Sequence, residues 1–150
     1  MMFIFCDDPS NNFITYSGVR IAGTVNAGLG WFHIGAGYAF TPGTVSYSDV
    51  EGELNIGNVF GRLGVCFHRD DQLMATGIHL GSSTLSGDLS IDGQNVGGSG
   101  SVFHMGVYGE YILLLSESIG INVLLRTDYL FFGGAYTKLY DLGAGLSLFF

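Results

Sequence analysis

Three histidines, three arginines and three carboxylates of this chain are the residues that could do chemistry. They are His33, His79 and His104; Arg20, Arg62 and Arg126; and Glu110, Asp128 and Asp141. Three imidazoles can hold a zinc ion. A histidine with a serine and a carboxylate can drive acyl transfer if it is oriented to take the serine's proton. Imidazoles clustered out of water can also respond to pH. Arginines among carboxylates can simply neutralise one another, which they must do once buried. The spacing does not single out either site chemistry. His79 and Ser83 are four residues apart, His104 and Glu110 six, and no His-x-Ser pair occurs. Polar filler built on ion pairs is the preferred reading, with no catalytic residue, no metal ligand and no cofactor expected.

What positions these groups is a period of two. From Tyr140 to Phe150 every even residue is apolar: Tyr140, Leu142, Ala144, Leu146, Leu148 and Phe150. The odd residues Asp141, Gly143, Gly145 and Ser147 are polar or small, as in a strand with one apolar and one polar face. The pattern recurs over 13–25, 31–40, 53–67, 73–85, 101–114 and 119–132. It puts Val19, Ile34, Leu63, Ile78, Val107 and Ile121 on one side. The candidate residues, with Trp31 and Tyr108, fall on the other. Leu54 and Ile56 break the phase, and a bulge or turn at Gly57-Asn58 is expected there. Short turns are predicted at Asn26-Ala27-Gly28, 68–72, 115–118 and 133–135, and longer polar loops at 41–52 and 87–100. Met1–Phe5 reads as the end of one further strand whose start is missing. It lacks the basic region and cleavage site of a complete signal peptide.

Composition narrows the class. The 150 residues fit one domain, 1–150. Charged residues are 12 % and hydrophobic ones 47 %, too apolar for disorder. A net charge of −8 with five scattered Lys and Arg argues against nucleic acid. The two cysteines, Cys6 and Cys66, have no zinc-site spacing and are placed at opposite ends of the strand pattern. No apolar run reaches the ~20 residues of a membrane-spanning helix, but a membrane barrel does not need one.

The partition of charge is the most informative feature. The arginines and their carboxylates lie on the small, polar face; the remaining charges lie in turns, loops or near strand ends, as Glu53 and Lys138 do. A soluble barrel shows the reverse arrangement. An apolar outer face around a charged interior is the signature of a transmembrane barrel, in which every second residue faces inward. The fold expected is therefore all-β, an antiparallel up-and-down transmembrane β-barrel of about eight strands with the first one truncated. An Arg at Ile121 or Leu146 is expected to block folding.

The chain resembles the small eight-stranded outer-membrane β-barrels, the superfamily of the outer membrane protein A transmembrane domain and the OmpX and opacity-type surface proteins. The likeness rests on the alternating strands, the charged interior and the terminal run ending in Phe150. It implies a bacterial outer-membrane location, lipid and lipopolysaccharide as surroundings, and recognition by the barrel-assembly machinery. Tyr140, Leu142, Leu146, Leu148 and Phe150 would then form the insertion signal. It also implies a monomer with a structural or surface role. Two other activities occur to be weighed: lipid A modification, since some small outer-membrane barrels are acylhydrolases or acyltransferases, and passage of a small solute or ion. The expected outer loops are short and leave little adhesive surface.

Overall fold

Side chains alternating across a pleated backbone can bury one face only if the sheet curls around it. The computed structural model describes residues 2–5, 15–47, 50–91, 94–117, 119–133 and 135–148. They form one antiparallel sheet and, among the described residues, no helix. In chain order the strands are β1 (Met2–Phe5), β2 (Thr15–Gly18), β3 (Ile21–Leu29), β4 (Phe32–Tyr47), β5 (Val50–Arg69), β6 (Gln72–Ile91), β7 (Gln94–Leu114), β8 (Ile119–Phe132) and β9 (Ala135–Leu148). Neighbours in sequence pair from β3 through to β9, an up-and-down meander. The sheet then joins itself: β9 pairs β1, β1 pairs β2, and β2 pairs β4.

β2 and β3 are one strand with a gap. Thr15↔Ser46 and Ile21↔Phe40 belong to a single unbroken register against β4. The interruption at Val19 and Arg20 lies opposite Pro42, which has no N–H to give the ladder; Val19 N still reaches the Pro42 carbonyl at 3.3 Å. Counted as one strand, they bring the number to the eight expected. Closure is short. Met2 pairs with both Gly18 and Asp141; beyond it, among the described residues, no strand pairs with β3 on the side away from β4 or with residues 143–148 on the side away from β8.

Several local expectations are corrected. The turn at Asn26-Ala27-Gly28 is strand; the chain reverses at Gly30-Trp31, where Gly30 takes φ +66°. Trp31 is therefore not in the interior. It is 73 % exposed and packs edge-on against Phe67 with ring centres 6.1 Å apart. No bulge or turn occurs at Gly57-Asn58: β5 keeps one register against β4 from Val50 to Val65. Leu54 and Ile56 lie inside with Asn58, Phe60 and Arg62 because the interior itself becomes apolar at that height. The loops expected at 41–52 and 87–100 are largely strand. β4–β7 rise well past the end of β8, with Glu53↔Asp88 and Asp88↔Gly97 in register. Gly, Ser and Thr give no hydropathy signal, yet their backbones pair as well as any.

The outer face is apolar. Ile34, Leu63, Ile78, Val107, Leu125 and Leu142 are all about half exposed or more. Aromatic residues flank them. Trp31, Phe32 and Phe67 lie toward the short turns, and Phe40, Phe103, Phe131 and Tyr136 toward the other end. Lys138 sits among the latter, about 5.9 Å from the Tyr129 ring centre and 5.8 Å from that of Tyr136.

Candidate functional site

The interior is where the candidate residues meet. Inward positions of adjacent strands lie side by side, so residues far apart in sequence become neighbours. Arg20, Arg62, Arg126, Glu110, Asp128, Asp141, His33, His79 and His104 all have buried side chains there. They form two linked groups.

The first centres on Asp128. Arg126 donates from Nε to Asp128 Oδ2 at 2.7 Å, and its Nη2 lies 2.6 Å from the same oxygen. His79 Nε2 is hydrogen-bonded to the other oxygen, Oδ1. Arg20 Nη1 stands 3.9 Å from Asp128 and its Nε 3.1 Å from Asp141, the latter an ion pair without hydrogen-bond alignment. The Arg126 guanidinium also covers the Phe60 ring at 4.6 Å. Two cations facing two anions leave this group close to neutral, which burial requires.

The second group lies nearer the short turns. Arg62 donates to Glu110 Oε2 at 3.0 Å and to Asn26 Oδ1, and Asn122 donates to Glu110 Oε1 at 2.9 Å. Arg62 stacks over Tyr108 at 5.1 Å, and the Tyr108 hydroxyl is hydrogen-bonded to His33 Nε2. His79 joins the groups through ring contacts with Phe60 at 6.0 Å and Tyr108 at 6.2 Å.

Two glycines make these reaches possible. Gly106 lies between His79 and Asp128 in the register. A Cβ there would stand 2.8 Å from His79 Cε1 and Nε2 and would run into the Thr127 carbonyl. Gly64 clears the same kind of space beneath Tyr108 and His33. Gly106→Ala should therefore cost about 1–3 kcal/mol, the usual range for overpacking. Gly109→Ala, whose added Cβ meets nothing within 4 Å, should leave the denaturation midpoint nearly unchanged. Chemical denaturation of the folded protein checks both.

A serine–histidine contact exists, but not the one the spacing suggested. Ser83 Oγ lies 2.8 Å from His104 Nδ1, not beside His79, and donates to Asn58 Oδ1 at 2.6 Å. Ser83 and His104 are both fully buried. Sequence reading puts Asn58 and Asn122 inward without assigning them partners and puts Asn26 in a turn; all three complete these contacts. The cross-strand register would have found them, since Asn58↔Ser83 and Arg62↔His79 are paired positions.

An apolar layer covers the polar groups. Tyr16, Val45, Ile56, Leu130 and Leu139 form a buried cluster. On each strand the apolar residue lies just beyond a polar one, away from the short turns: Leu130 after Asp128, Leu139 before Asp141, Ile56 before Asn58. The Tyr16 hydroxyl is satisfied by the carbonyls of Thr41 at 2.8 Å and Leu54 at 3.2 Å. A wholly polar interior was expected; it is polar in the middle and apolar at one end.

Of the terminal run, Tyr140, Leu142 and Leu146 point outward and are exposed. Leu148 ends β9, and Phe150 lies outside the described residues. Cys66 is a free thiol, whereas Cys6 lies outside the described residues. Neither the family models nor the curated proteins contain a match to this chain.

Proposed function

We propose that this chain is a β-barrel of the Gram-negative outer membrane with a structural or surface-interaction role, architecturally like the eight-stranded barrels it resembles. One observation carries the reading: large apolar side chains cover the outside while the arginine–carboxylate pairs are enclosed. In water that distribution is inverted; against lipid it is the stable one, because the hydrocarbon solvates the outer face. The outward-alternating stretch of β5 from Val59 to Phe67 approaches the about 9–11 residues that a tilted strand needs to cross a membrane. The flanking aromatics match interfacial girdles. On this reading the partners are outer-membrane lipid and lipopolysaccharide around the belt, and the barrel-assembly machinery at the last strand. The barrel is a monomer.

The role follows from what the interior and the projecting strands offer. Ser83 is enclosed and its hydrogen is committed to Asn58, which disfavours lipid A chemistry. The apolar layer and the ion pairs fill the bore, which disfavours conduction. Beyond the barrel body, β4–β7 present a broad sheet carrying exposed Glu51, Glu53 and Asp88, more surface than short loops would give. This acidic extension suits contact with a cationic partner or with divalent ions bridging to lipopolysaccharide phosphate.

Expression in a Gram-negative host followed by membrane fractionation tests the location. The protein should sediment with outer membranes and shift its gel mobility on boiling. A soluble monomer without detergent overturns the reading. Lipid A mass spectra unchanged by the protein, with no steady conductance in planar bilayers, are expected for the structural role. A lost or gained acyl chain, or a steady current, would replace it.

A further inference from the structure

Inside the first ion-pair group, three side chains form a set that charge balance alone does not require. His79, His104 and Asp128 are all buried, and one ligand atom from each lies within 4.8 Å of the other two. Their hydrogen bonds fix how they present themselves. Ser83 has one hydrogen, and it goes to Asn58 Oδ1, which can only accept. The contact between Ser83 and His104 must then be a donation from His104 Nδ1–H to Ser83 Oγ. His104 Nε2 is therefore left as a bare lone pair, buried and without a partner. A buried acceptor with nothing to accept from is costly. Orientation of an imidazole through its other nitrogen is the usual support of a metal-binding histidine.

We propose that His79, His104 and Asp128 bind a first-row divalent transition metal, zinc best among them, inside the barrel. Two imidazoles and a carboxylate are a set that zinc accepts, with a fourth position left for water. The ion takes the place of the hydrogen between His79 Nε2 and Asp128 Oδ1, and that hydrogen moves to His79 Nδ1, which has no partner. His104 Nε2 gives the second nitrogen. Asp128 Oδ2 stays with Arg126, so the carboxylate bridges the ion and the guanidinium. Ser83 and Asn58 hold His104 in the binding tautomer. Arg20 and Arg126 repel a further cation, so the site is weaker than a four-ligand structural zinc centre. Access runs beside β3, whose residues are exposed on both faces from Ile21 to Gly28. His33 belongs to the other group, engaged with Tyr108, and takes no part.

The test uses untagged protein refolded in detergent, with folding confirmed by the gel-mobility shift. Zinc is titrated against a zinc-sensitive dye, and cobalt is added separately for its visible absorption. Wild type, His33→Ala and His68→Ala should each take up one zinc per chain, and cobalt should give the intense bands of a tetrahedral site with nitrogen ligands. His104→Ala should lose that uptake, and Ser83→Ala should weaken it about tenfold. Should His104→Ala fail to fold, His104→Gln replaces it with the same expected loss. No uptake by folded wild type overturns the proposal. So does uptake that His104 and Ser83 substitutions leave unchanged, or uptake that disappears with His68→Ala.

Discussion

Asp128→Ala should lower the unfolding free energy of the barrel by about 3–5 kcal/mol, the cost of breaking a buried ion pair from one side. Asp128 is 2 % exposed and is shared by Arg126, Arg20 and His79. Without it, two guanidinium groups face the single carboxylate of Asp141. Arg126 cannot move its charge to water without uncovering the Phe60 ring it lies over. Asp128→Asn keeps the shape but not the charge and should recover only part of the loss. Arg126→Leu should be milder than Asp128→Ala, because Asp128 would keep Arg20 and His79. Denaturant unfolding in detergent micelles reads all three. Equal midpoints for wild type and Asp128→Ala would mean that the pairs contribute nothing to folding.

On the proposed membrane reading, Ile78→Arg should cost about 2–4 kcal/mol in a bilayer, the penalty for arginine at mid-depth on a lipid-facing side. Ile78 is 49 % exposed and lies midway along the belt, between Leu63 and Val107 in the register. Ile121→Arg should be far milder, about 0–1 kcal/mol, because that penalty fades near the interface. Ile121 is the third residue of β8, close to the short turns, where an arginine can extend its head to water. This replaces the expectation that an arginine at Ile121 blocks folding. Leu146, opposite Ile121, is tempered in the same way. The measurement is the refolding equilibrium in lipid vesicles. If Ile78→Arg and Ile121→Arg fold alike, the belt does not face hydrocarbon.

The faces of the strands were legible because hydropathy alternates wherever one side is covered by large apolar side chains and the other encloses small and charged ones. That gave the fold class and the inward set of arginines, carboxylates and histidines. Four things lay beyond it. The reach of β4–β7 was hidden because Gly, Ser and Thr carry no contrast, although their ladder continues unbroken. Ile56 was misread as out of phase because one rule, polar inside, was applied at every height, and the interior changes character above Asn58. The partners of each buried group were invisible because register decides them. His79 and Ser83 share a strand, but Ser83 meets His104 across to β7. Trp31 was assigned inward by parity alone, and a turn at Gly30 removes parity altogether.

Arg20 gives the fold a timing. It sits in the gap opposite Pro42, just past the last pairing that Met2 makes with Gly18 and Asp141, and its partner Asp141 is near the other end of the chain. The contacts from β3 to β9 can form hairpin by hairpin as the meander grows, whereas the β1–β9 ladder, like this ion pair, joins the two ends of the chain. This ion pair can form only when the two ends of the sheet meet, after the largest loop in the molecule has closed. Arg20 therefore belongs to the final step of assembly. Its loss should leave the early rates of folding untouched while speeding the reopening of the seam.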